Sequence, residues 1–311
     1  MAYSNRSAAI SEAIGASLDD LLGPASERYL ASRFRRVARA FVGSATRSSD
    51  RQIAVEGHAA LKYPGTWTVK TGKSPAPHFS SIDAIVLTAA LCSHPAGIDD
   101  RSSPVSARLR NISLRAGTTA DVELESIPVS GTLDAQASTA GFEARLTLGG
   151  MRTVAQLDHP PALAHATPPD GSALSVELAA DCTTENAWNS RLTRIEVGRS
   201  VEFQHEIAAA DHSPSRRVVT VLDLLRLSAQ QAQALIYCSD GLDRASANSI
   251  WMRSASFDAG ERRQLRGPLL LEVGIARTQR IDRGSVRWNV FDVVARGTGG
   301  LQASASLAYS R

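Results

Sequence analysis

A nine-residue pattern occurs twice in this chain, about 140 positions apart. The copies span residues 81–89 and 221–229, and each places an aspartate, Asp83 or Asp223, near the start of an otherwise apolar segment. A carboxylate in the first turn ahead of apolar residues is typical of a helix that begins there. Each copy precedes segments in which apolar and polar residues alternate, as in strands. The repeat therefore predicts two similar units, each with one helix and several strands.

The order of these elements favours an α+β fold. Helices are expected over about 81–93 and 219–238, and no helical pattern interrupts the strands that follow, which argues against a doubly wound sheet. We interpret the order as a tandem (double) hotdog fold, in which each long antiparallel sheet wraps round a central helix. A Pro-rich linker near residues 159–171 divides an N-terminal unit, 1–160, from a C-terminal unit, 171–311.

Alternation and turn residues locate the other elements. A short amphipathic helix is expected over 8–22. Strands are expected at 28–43, 52–59, 105–115, 119–129, 141–158, 173–179, 190–207, 248–257, 268–281, 285–296 and 301–309. The first of these also has a helical stripe, and strand is favoured because 52–59 alternates after a polar turn, as in a hairpin.

Composition excludes several classes of protein. The 311-residue chain has a net charge of +3, and its arginines are scattered, so we expect no nucleic-acid partner. The longest apolar run, residues 84–92, is too short to span a bilayer, so no membrane partner is expected. Three cysteines without a Cys-x-x-Cys pair and a start without signal-peptide character favour a reduced, cytoplasmic protein.

The common metal and nucleotide motifs are missing from the sequence. The histidines are dispersed, with no His-x-x-x-His or Glu-x-x-His pattern, so no metal site is expected. Neither Gly-x-Gly-x-x-Gly nor a P-loop occurs, and no Gly-x-Ser-x-Gly elbow occurs either. We therefore expect no cofactor and no α/β-hydrolase.

Four stretches carry a resemblance to a known family. They are Leu-Gly-Pro with Glu-Arg-Tyr in residues 22–29, Tyr-Pro with Trp in 63–67, the run Pro-His-Phe-Ser-Ser-Ile-Asp-Ala-Ile-Val-Leu at 77–87, and Ile-Trp-Met-Arg at 250–253. Together they resemble the bacterial avirulence protein D family over nearly the whole chain. The tandem order is also similar to the A-factor (gamma-butyrolactone) biosynthesis proteins.

The resemblance implies an activity. Avirulence D proteins are implicated in making syringolides from a β-ketoacyl chain and a pentulose, and the butyrolactone proteins join a β-ketoacyl group from acyl carrier protein to a triose phosphate. By analogy, this chain is expected to act as an acyltransferase in syringolide- or butenolide-like secondary metabolism. Its partners would be an acyl carrier protein or CoA thioester and a sugar or sugar-phosphate acceptor.

Acyl transfer needs a base for the acceptor hydroxyl. Asp83 and Asp223 are the leading candidates, because partial burial would bring a carboxylate pKa toward working pH. The alternative is that both only cap helices. His78, just before the first helix, is a third candidate base or donor, although a loop histidine at such a position is more often incidental.

Acceptor binding is predicted for four residues. Arg226 and Gln230 follow Asp223 by three and seven positions and share its helical face. Trp251 and Arg253 alternate along one strand and therefore share a face, where an aromatic ring and a guanidinium suit a sugar phosphate. A local ion pair with Asp223 is the alternative for Arg226. Trp67 is expected in the core or a lid.

Two other classes stay open from the sequence. One is a hotdog thioesterase or dehydratase, although the glycine and proline spacing of the dehydratase signature is missing after His78, and Leu227 stands where polyketide dehydratases carry glutamine. The other is a non-catalytic acyl-binding module.

Overall fold

The chain forms one large antiparallel sheet with helices packed against it. This computed structural model describes residues 13–49, 51–65, 67–68, 76–93, 109–119, 121–135, 142–157, 172–178, 187–208, 218–242, 244, 247–260 and 267–310. Over these residues the sheet has thirteen strands and every pairing is antiparallel.

The helices and strands have the following bounds. The α-helices are α1 (Leu18–Leu22), α2 (Ser81–Ser93) and α3 (Val221–Asp240). The strands are β1 (Ala38–Ser49), β2 (Gln52–Lys62), β3 (Leu109–Arg115), β4 (Ile127–Ala135), β5 (Phe142–Leu148), β6 (Met151–Leu157), β7 (Ser172–Leu178), β8 (Trp188–Glu196), β9 (Ser200–Ile207), β10 (Trp251–Asp258), β11 (Leu269–Arg283), β12 (Val286–Gly297) and β13 (Gln302–Ser310).

The order of elements repeats along the chain. Strands β1 and β2, helix α2 and strands β3 to β6 form one series, and β8 and β9, α3 and β10 to β13 form a second. Across the sheet the order is β7-β1-β2-β4-β5-β6-β3-β10-β13-β12-β11-β9-β8, so the second series runs in the mirrored order of the first. The two series meet where β3 pairs with β10, and the sheet continues across this junction.

Both long helices are buried against the sheet. Residues 82–92 of α2 are buried without interruption, as expected for a helix that is apolar on all sides. A buried hydrogen bond of 3.0 Å joins the Thr88 and Thr153 hydroxyls and ties α2 to β6. Helix α3 packs on β9, β10, β11 and β13 and also contacts α2.

The two helices place opposite ends at the same edge of the sheet. The end of α3 contacts β13 through the Asp240 carboxylate and the Tyr309 hydroxyl. Ala308, beside Tyr309, pairs with Trp251 at the start of β10, and Trp251 packs on His78 just before α2. The start of α2 and the end of α3 therefore both lie near the strand ends where β10 begins and β13 finishes. We call these strand ends the Trp251 edge.

The sequence predicted the four last strands and both long helices within a few residues, and it was less accurate elsewhere. Of the helix expected over 8–22, residues 8–12 lie outside the described residues. The rest becomes helical only at Leu18, where the Ser17 and Asp20 side chains form a capping box. Residues 28–36 form turns and a short 3-10 helix (Arg33–Arg36) ahead of β1, and β4 begins at Ile127, well inside the expected strand 119–129.

Three further expectations differ from the structure for identifiable reasons. The segments 141–158 and 190–207 are each two strands, because Gly149 (φ 54°) and Gly198 (φ 75°) adopt the left-handed conformation and turn the chain. Strand β7, expected at the start of the C-terminal unit, pairs with β1 and extends the sheet of the first series. Residues 158–171, which include the predicted linker, lie outside the described residues.

Candidate functional site

Asp83 lies at the start of α2 inside a set of hydrogen-bond donors. Arg39 of β1 donates to carboxylate oxygen Oδ1 through Nε (2.9 Å) and Nη2 (2.6 Å). The Tyr29 hydroxyl lies 2.8 Å from Oδ2, the Ser80 hydroxyl lies 2.5 Å from it, and the Tyr63 hydroxyl also contacts it. The Asp83 side chain has no solvent exposure. A substrate therefore cannot contact this carboxylate directly, and Asp83 can influence a substrate only through the side chains that bind it.

Arg39 is as fully enclosed as its partner. Its guanidinium also donates to the carbonyl oxygens of Val37 and Phe34, both at 2.9 Å. Burial on its own lowers the pKa of Arg39, but the Asp83 carboxylate and Tyr29 outweigh that effect and raise it. Arg39 therefore stays charged, and its hydrogen bonds to Asp83 hold β1 against the start of α2.

The two tyrosines keep their protons in this environment. Burial, followed by the negative charge of Asp83, raises the pKa of Tyr29 well above its usual value and raises that of Tyr63 as well. The Tyr63 hydroxyl also lies 2.9 Å from the carbonyl oxygen of His78. Tyr63 thus connects the buried carboxylate to the backbone of His78.

Five aromatic side chains form a connected group above Asp83. Ring centroids are 5.9 Å apart for Tyr29 and Tyr63, 5.2 Å for Tyr29 and Trp67, and 5.7 Å for Tyr63 and Trp67. The His78 ring stands edge-on to Trp67 at 5.3 Å and lies 5.1 Å from Trp251. Trp251 belongs to β10, so this aromatic group joins the two series of elements. We call these five side chains, together with Asp83 and its partner Arg39, the His78 site.

The position of His78 suits proton transfer. The side chain is half-buried at the Trp251 edge, and burial lowers its pKa below the usual value. A hydrogen bond to the backbone of Ala76 and the charge of Asp83 act in the opposite direction and only partly offset burial. The imidazole is therefore neutral near pH 7. One ring nitrogen binds the backbone, and the other has a lone pair that can accept a proton.

Asp223 occupies the equivalent position at the start of α3. Its carboxylate accepts from the Thr220 hydroxyl at 3.2 Å, in a capping box, and from Trp188 Nε1 at 2.9 Å. Like Asp83, it is fully buried. Val218 stands five residues before Asp223, where His78 stands before Asp83. The second helix start therefore keeps the cap and lacks the histidine.

Arg226 and Gln230 connect α3 to the N-terminal segment. Arg226 donates to the carbonyl oxygens of Leu30 (3.2 Å) and Ala31 (2.8 Å), and its guanidinium lies over the Phe34 ring. It also lies 3.4 Å from Asp223, the local pair expected as the alternative. Both Arg226 and Gln230 are buried.

Gln230 has partners on two sides. Its side-chain oxygen accepts from Arg28 Nη1 at 2.5 Å, and its amide nitrogen donates to the Arg226 carbonyl at 3.0 Å. Arg253 is exposed and donates to the Gly117 carbonyl oxygen at 3.1 Å. The seven predicted site residues thus form two groups. Asp83, His78 and Trp251 lie at the His78 site with Arg253 nearby, whereas Asp223, Arg226 and Gln230 lie on the first turns of α3.

The sequence of this chain matches one protein family over most of its length. The family model described as "Pseudomonas avirulence D protein (AvrD)" matches residues 14–180 and 192–310. The chain belongs to the AvrD family. The matched residues of this AvrD-family chain include the start of both long helices and the whole His78 site.

Solved structures similar to this AvrD-family chain are distant. The tesB protein of Mycobacterium avium subs. paratuberculosis is 11% identical, with 86% of this chain and 96% of that chain covered and a TM-score of 0.43. A putative thioesterase from Novosphingobium aromaticivorans is 12% identical (86% and 97% covered, TM-score 0.39), and a dehydratase-cyclase domain in ambruticin biosynthesis is 14% identical (87% and 94% covered, TM-score 0.34). No curated protein matched the chain.

Three residues of the His78 site were not singled out from the sequence: Tyr29, Tyr63 and Arg39. Arg39 had a detectable signal, because it occupies an inward-facing position of β1 between Val37 and Phe41. An arginine at such a position requires a buried acceptor. Tyr29 and Tyr63 come from segments without regular structure, and no periodic pattern connects them to Asp83.

A second buried histidine lies away from this site. His205 of β9 has no exposure, and its Nδ1 lies 2.8 Å from the hydroxyl of Ser190, its partner across the β8–β9 ladder. Its Nε2 lies 2.5 Å from the side-chain nitrogen of Gln231. Burial lowers the pKa of His205 to about 3, so the ring is neutral.

The described residues contain neither a cluster of metal ligands nor a membrane-spanning helix. Among them, no group of three or more histidine, cysteine, aspartate or glutamate side chains is arranged to hold a metal ion. Within the same part of the chain, none of the helices combines the length and apolar character needed to cross a membrane.

Proposed function

We propose that this AvrD-family protein is an enzyme that transfers a β-ketoacyl group from a carrier thioester to a hydroxyl of a sugar or sugar phosphate. Its product would belong to syringolide- or butenolide-like secondary metabolism. The observation that carries the proposal is the half-buried His78 ring between Trp67 and Trp251, close enough to the buried Asp83 for that carboxylate to raise its pKa. Family membership supports the substrate class.

We interpret the architecture as a double hotdog fold. The mirrored strand order of the two series, the continuous sheet at the β3–β10 junction and one long buried helix in each series support this interpretation. In such an arrangement the chemistry lies where the two halves meet. The His78 site has that position, because Trp251 comes from the second series and the other four rings from the first.

His78 is the proposed general base. Its free ring nitrogen accepts the proton of the acceptor hydroxyl while the hydroxyl oxygen attacks the thioester carbonyl carbon. When the tetrahedral intermediate collapses, the carbon–sulfur bond breaks and the leaving thiolate takes the proton back from the imidazolium. A neutral histidine is needed at the start of this sequence, and the lowered pKa of His78 provides it.

Asp83 is proposed to act through its neighbours. Its charge raises the pKa of His78 and therefore stabilises the imidazolium that forms during transfer. Through Tyr63 it also fixes the backbone of the histidine. The predicted base roles of Asp83 and Asp223 stay predictions, and the complete burial of both carboxylates favours positioning and capping instead.

The acceptor is proposed to bind at the exposed rim of the site. Trp251 is 37% exposed and Arg253 is exposed nearby, so an indole and a guanidinium are available to a sugar phosphate. Arg226 and Gln230 were also predicted to bind the acceptor. The carbonyl oxygens on Arg226 and the two hydrogen bonds of Gln230 support a structural role for both.

The acyl chain is proposed to enter an apolar crevice beside Met252. The crevice lies between α3 and the inner face of the sheet, and its walls include the small side chains Ala229, Ala232, Ala295 and Ala303. It encloses only about 20 Å³. Admission of a chain therefore requires movement of the Met252 side chain, whose three rotatable bonds permit it.

Two incubations separate this function from its alternatives. The protein is mixed with a β-ketoacyl group on acyl carrier protein, with and without a pentulose phosphate, and the products are identified by mass spectrometry. An ester or butenolide that forms only with the pentulose phosphate indicates transfer. Free acid in both reactions indicates a thioesterase, and absence of any product indicates a binding module. A separate incubation with a β-hydroxyacyl group on the carrier protein tests for a dehydratase, which would release water and leave an unsaturated acyl group.

A matched pair of variants tests the role of His78. His78→Gln keeps a similar size and removes the base, so we expect transfer to fall by about 100-fold or more. His58→Gln changes an exposed histidine of β2 and should transfer at the parental rate. Equal rates for both variants would assign the proton transfer to another group.

A further inference from the structure

The end of the β11–β12 hairpin extends past its neighbouring strands. Strand β9 pairs with β11 only up to Gly274, and β13 pairs with β12 only from Trp288 onward. Within the described part of the chain, residues 276–283 of β11 therefore have no partner on β9, and residues 286–287 of β12 have none on β13. Strands β11 and β12 pair with each other up to a turn at Gly284 and Ser285. We call residues 276–287 the arm.

The arm is strongly basic. It contains Arg277, Arg280, Arg283 and Arg287 against one acidic residue, Asp282, so its formal charge of +3 equals that of the whole chain. All five side chains are exposed. Among the described residues, one of these four arginines has an ion-pair partner: Arg287 lies 3.1 Å from Asp282.

One face of the arm combines this charge with apolar side chains. Cross-strand pairing places Ile281 opposite Trp288 and Arg283 opposite Val286. Arg277 shares their face because strand side chains alternate, and it lies opposite Asp292. Ile281 is 47% exposed and Val286 is 39% exposed. We call this the Ile281 face. On the opposite face Arg280 stands beside the Asp282–Arg287 pair.

The Ile281 face adjoins the candidate site. The register runs straight across the sheet from Trp251 to Ala308, then to Val290 and to Gln279, and residues paired in this way lie on the same face. Three strand spacings of about 4.8 Å put Gln279 about 14 Å from Trp251 along the sheet. From Gln279 to Arg283 the arm extends roughly a further 13 Å at about 3.3 Å per residue.

We propose that the Ile281 face is the docking surface for an acidic carrier protein that presents the acyl thioester to the His78 site. This proposal rests on the proposed function and names the donor as a carrier protein rather than free CoA. A small phosphate needs donors that converge on one point, whereas the arginines of an extended hairpin are spread along its length. Basic side chains interleaved with exposed isoleucine and valine suit a protein surface of opposite charge.

Binding is measured directly, so the result does not depend on turnover. The probe is the unacylated, phosphopantetheine-bearing acyl carrier protein of a bacterial fatty-acid synthase, titrated by fluorescence anisotropy at low and at physiological salt. We expect Arg277→Glu/Arg283→Glu to weaken binding by about 10- to 100-fold at low salt, mainly through slower association. The difference should shrink as salt screens the charges.

Two controls carry the same change of charge. Arg110→Glu/Arg191→Glu alters exposed arginines remote from the Trp251 edge and should bind like the parent. Arg280→Glu/Arg287→Glu alters the opposite face of the arm and should weaken binding much less than the Ile281-face pair. Heparin, a polyanion without an apolar surface, is titrated in parallel as a test of general charge attraction. Ile281→Ser leaves the charge unchanged, so it should weaken carrier binding and leave heparin binding unaffected.

Each result decides the matter. Parental affinity in the Arg277/Arg283 variant, or equal losses in all three charge variants, would overturn the docking proposal. Parallel losses for carrier and heparin in every arm variant, Ile281→Ser included, would reduce the arm to a general polyanion surface and overturn it too. If the parent protein transfers the same acyl group from CoA and the Arg277→Glu/Arg283→Glu variant binds carrier as tightly as the parent, the proposed function stands and this docking site does not. If carrier binds as expected and no thioester turns over, the proposed function fails and the docking surface stands.

Discussion

Arg39 and Asp83 form an ion pair in which neither side chain has any exposure to solvent. Removal of two charges from water is unfavourable, and the pair is tolerated because hydrogen bonds satisfy both groups. Its members lie at the start of β1 and the start of α2, so the pair fixes the floor of the His78 site to the sheet.

The first prediction concerns that pair and stability. Arg39→Met removes the cation and leaves the Asp83 carboxylate buried without it, so we expect the free energy of unfolding to fall by about 3–5 kcal/mol. Urea unfolding followed by circular dichroism measures it. Arg110→Met, at an exposed position, should change stability by less than about 0.5 kcal/mol. A loss in Arg39→Met no larger than in this control would show that the ion pair is not stabilising.

The second prediction separates positioning by Asp83 from direct proton transfer. The charge of Asp83 raises the pKa of His78, so Asp83→Asn should lower that pKa further. In the parent, kcat/KM should fall as pH drops through a value below 6.5, because His78 becomes protonated there. In Asp83→Asn this acid limb should move to lower pH while the maximal rate decreases. If Asp83→Asn is still active and its kcat/KM falls at the same pH as in the parent, the charge of Asp83 does not act on the pKa of His78.

The third prediction concerns the acceptor. Arg253→Ala should raise KM for a sugar phosphate by about 10- to 150-fold, the loss expected for one charge-assisted contact, and should leave KM for the thioester and for an unphosphorylated sugar nearly unchanged. Arg226→Ala should act mainly on stability, because it frees the carbonyl oxygens of Leu30 and Ala31. If Arg226→Ala alone raises KM, the acceptor binds at the start of α3 instead.

The fourth prediction concerns acid unfolding. The pKa of His205 is about 3 in the folded protein and about 6.5 when unfolded, so the unfolded state binds more protons between these values. Stability should therefore fall as pH drops from about 6.5 to about 3, by several kcal/mol at the lower limit. His205→Gln should flatten this part of the stability curve in urea titrations. The same slope in both proteins would assign the acid sensitivity to other groups.

Much of the fold follows from local sequence pattern. Both long helices were located by a carboxylate in the first turn and an apolar run, and strands β10 to β13 by alternation of apolar and polar residues. The pairing of β7 with β1 was not predictable in this way, because alternation indicates a strand and says nothing about its neighbour. The turns at Gly149 and Gly198 were missed because alternation continues through them.

The site was only partly predictable for a similar reason. Asp83, His78 and Trp251 were singled out from sequence, and the structure brings them together around an aromatic group. The other members, Arg39 and Tyr63 among them, come from positions remote in the sequence. Their relation to Asp83 arises only when β1 and β2 pair and α2 packs against the sheet.

The difference between His78 at the first helix start and Val218 at the second has a consequence for stoichiometry. A chain built from two identical series would offer two equivalent places for a ligand and would bind two molecules. Here one helix start carries the histidine and aromatic rings, and the other carries an aspartate tied to Trp188 and Thr220. If the ligand binds at the His78 site as proposed, calorimetric titration with an acyl thioester analogue should reach its end point at one equivalent per chain.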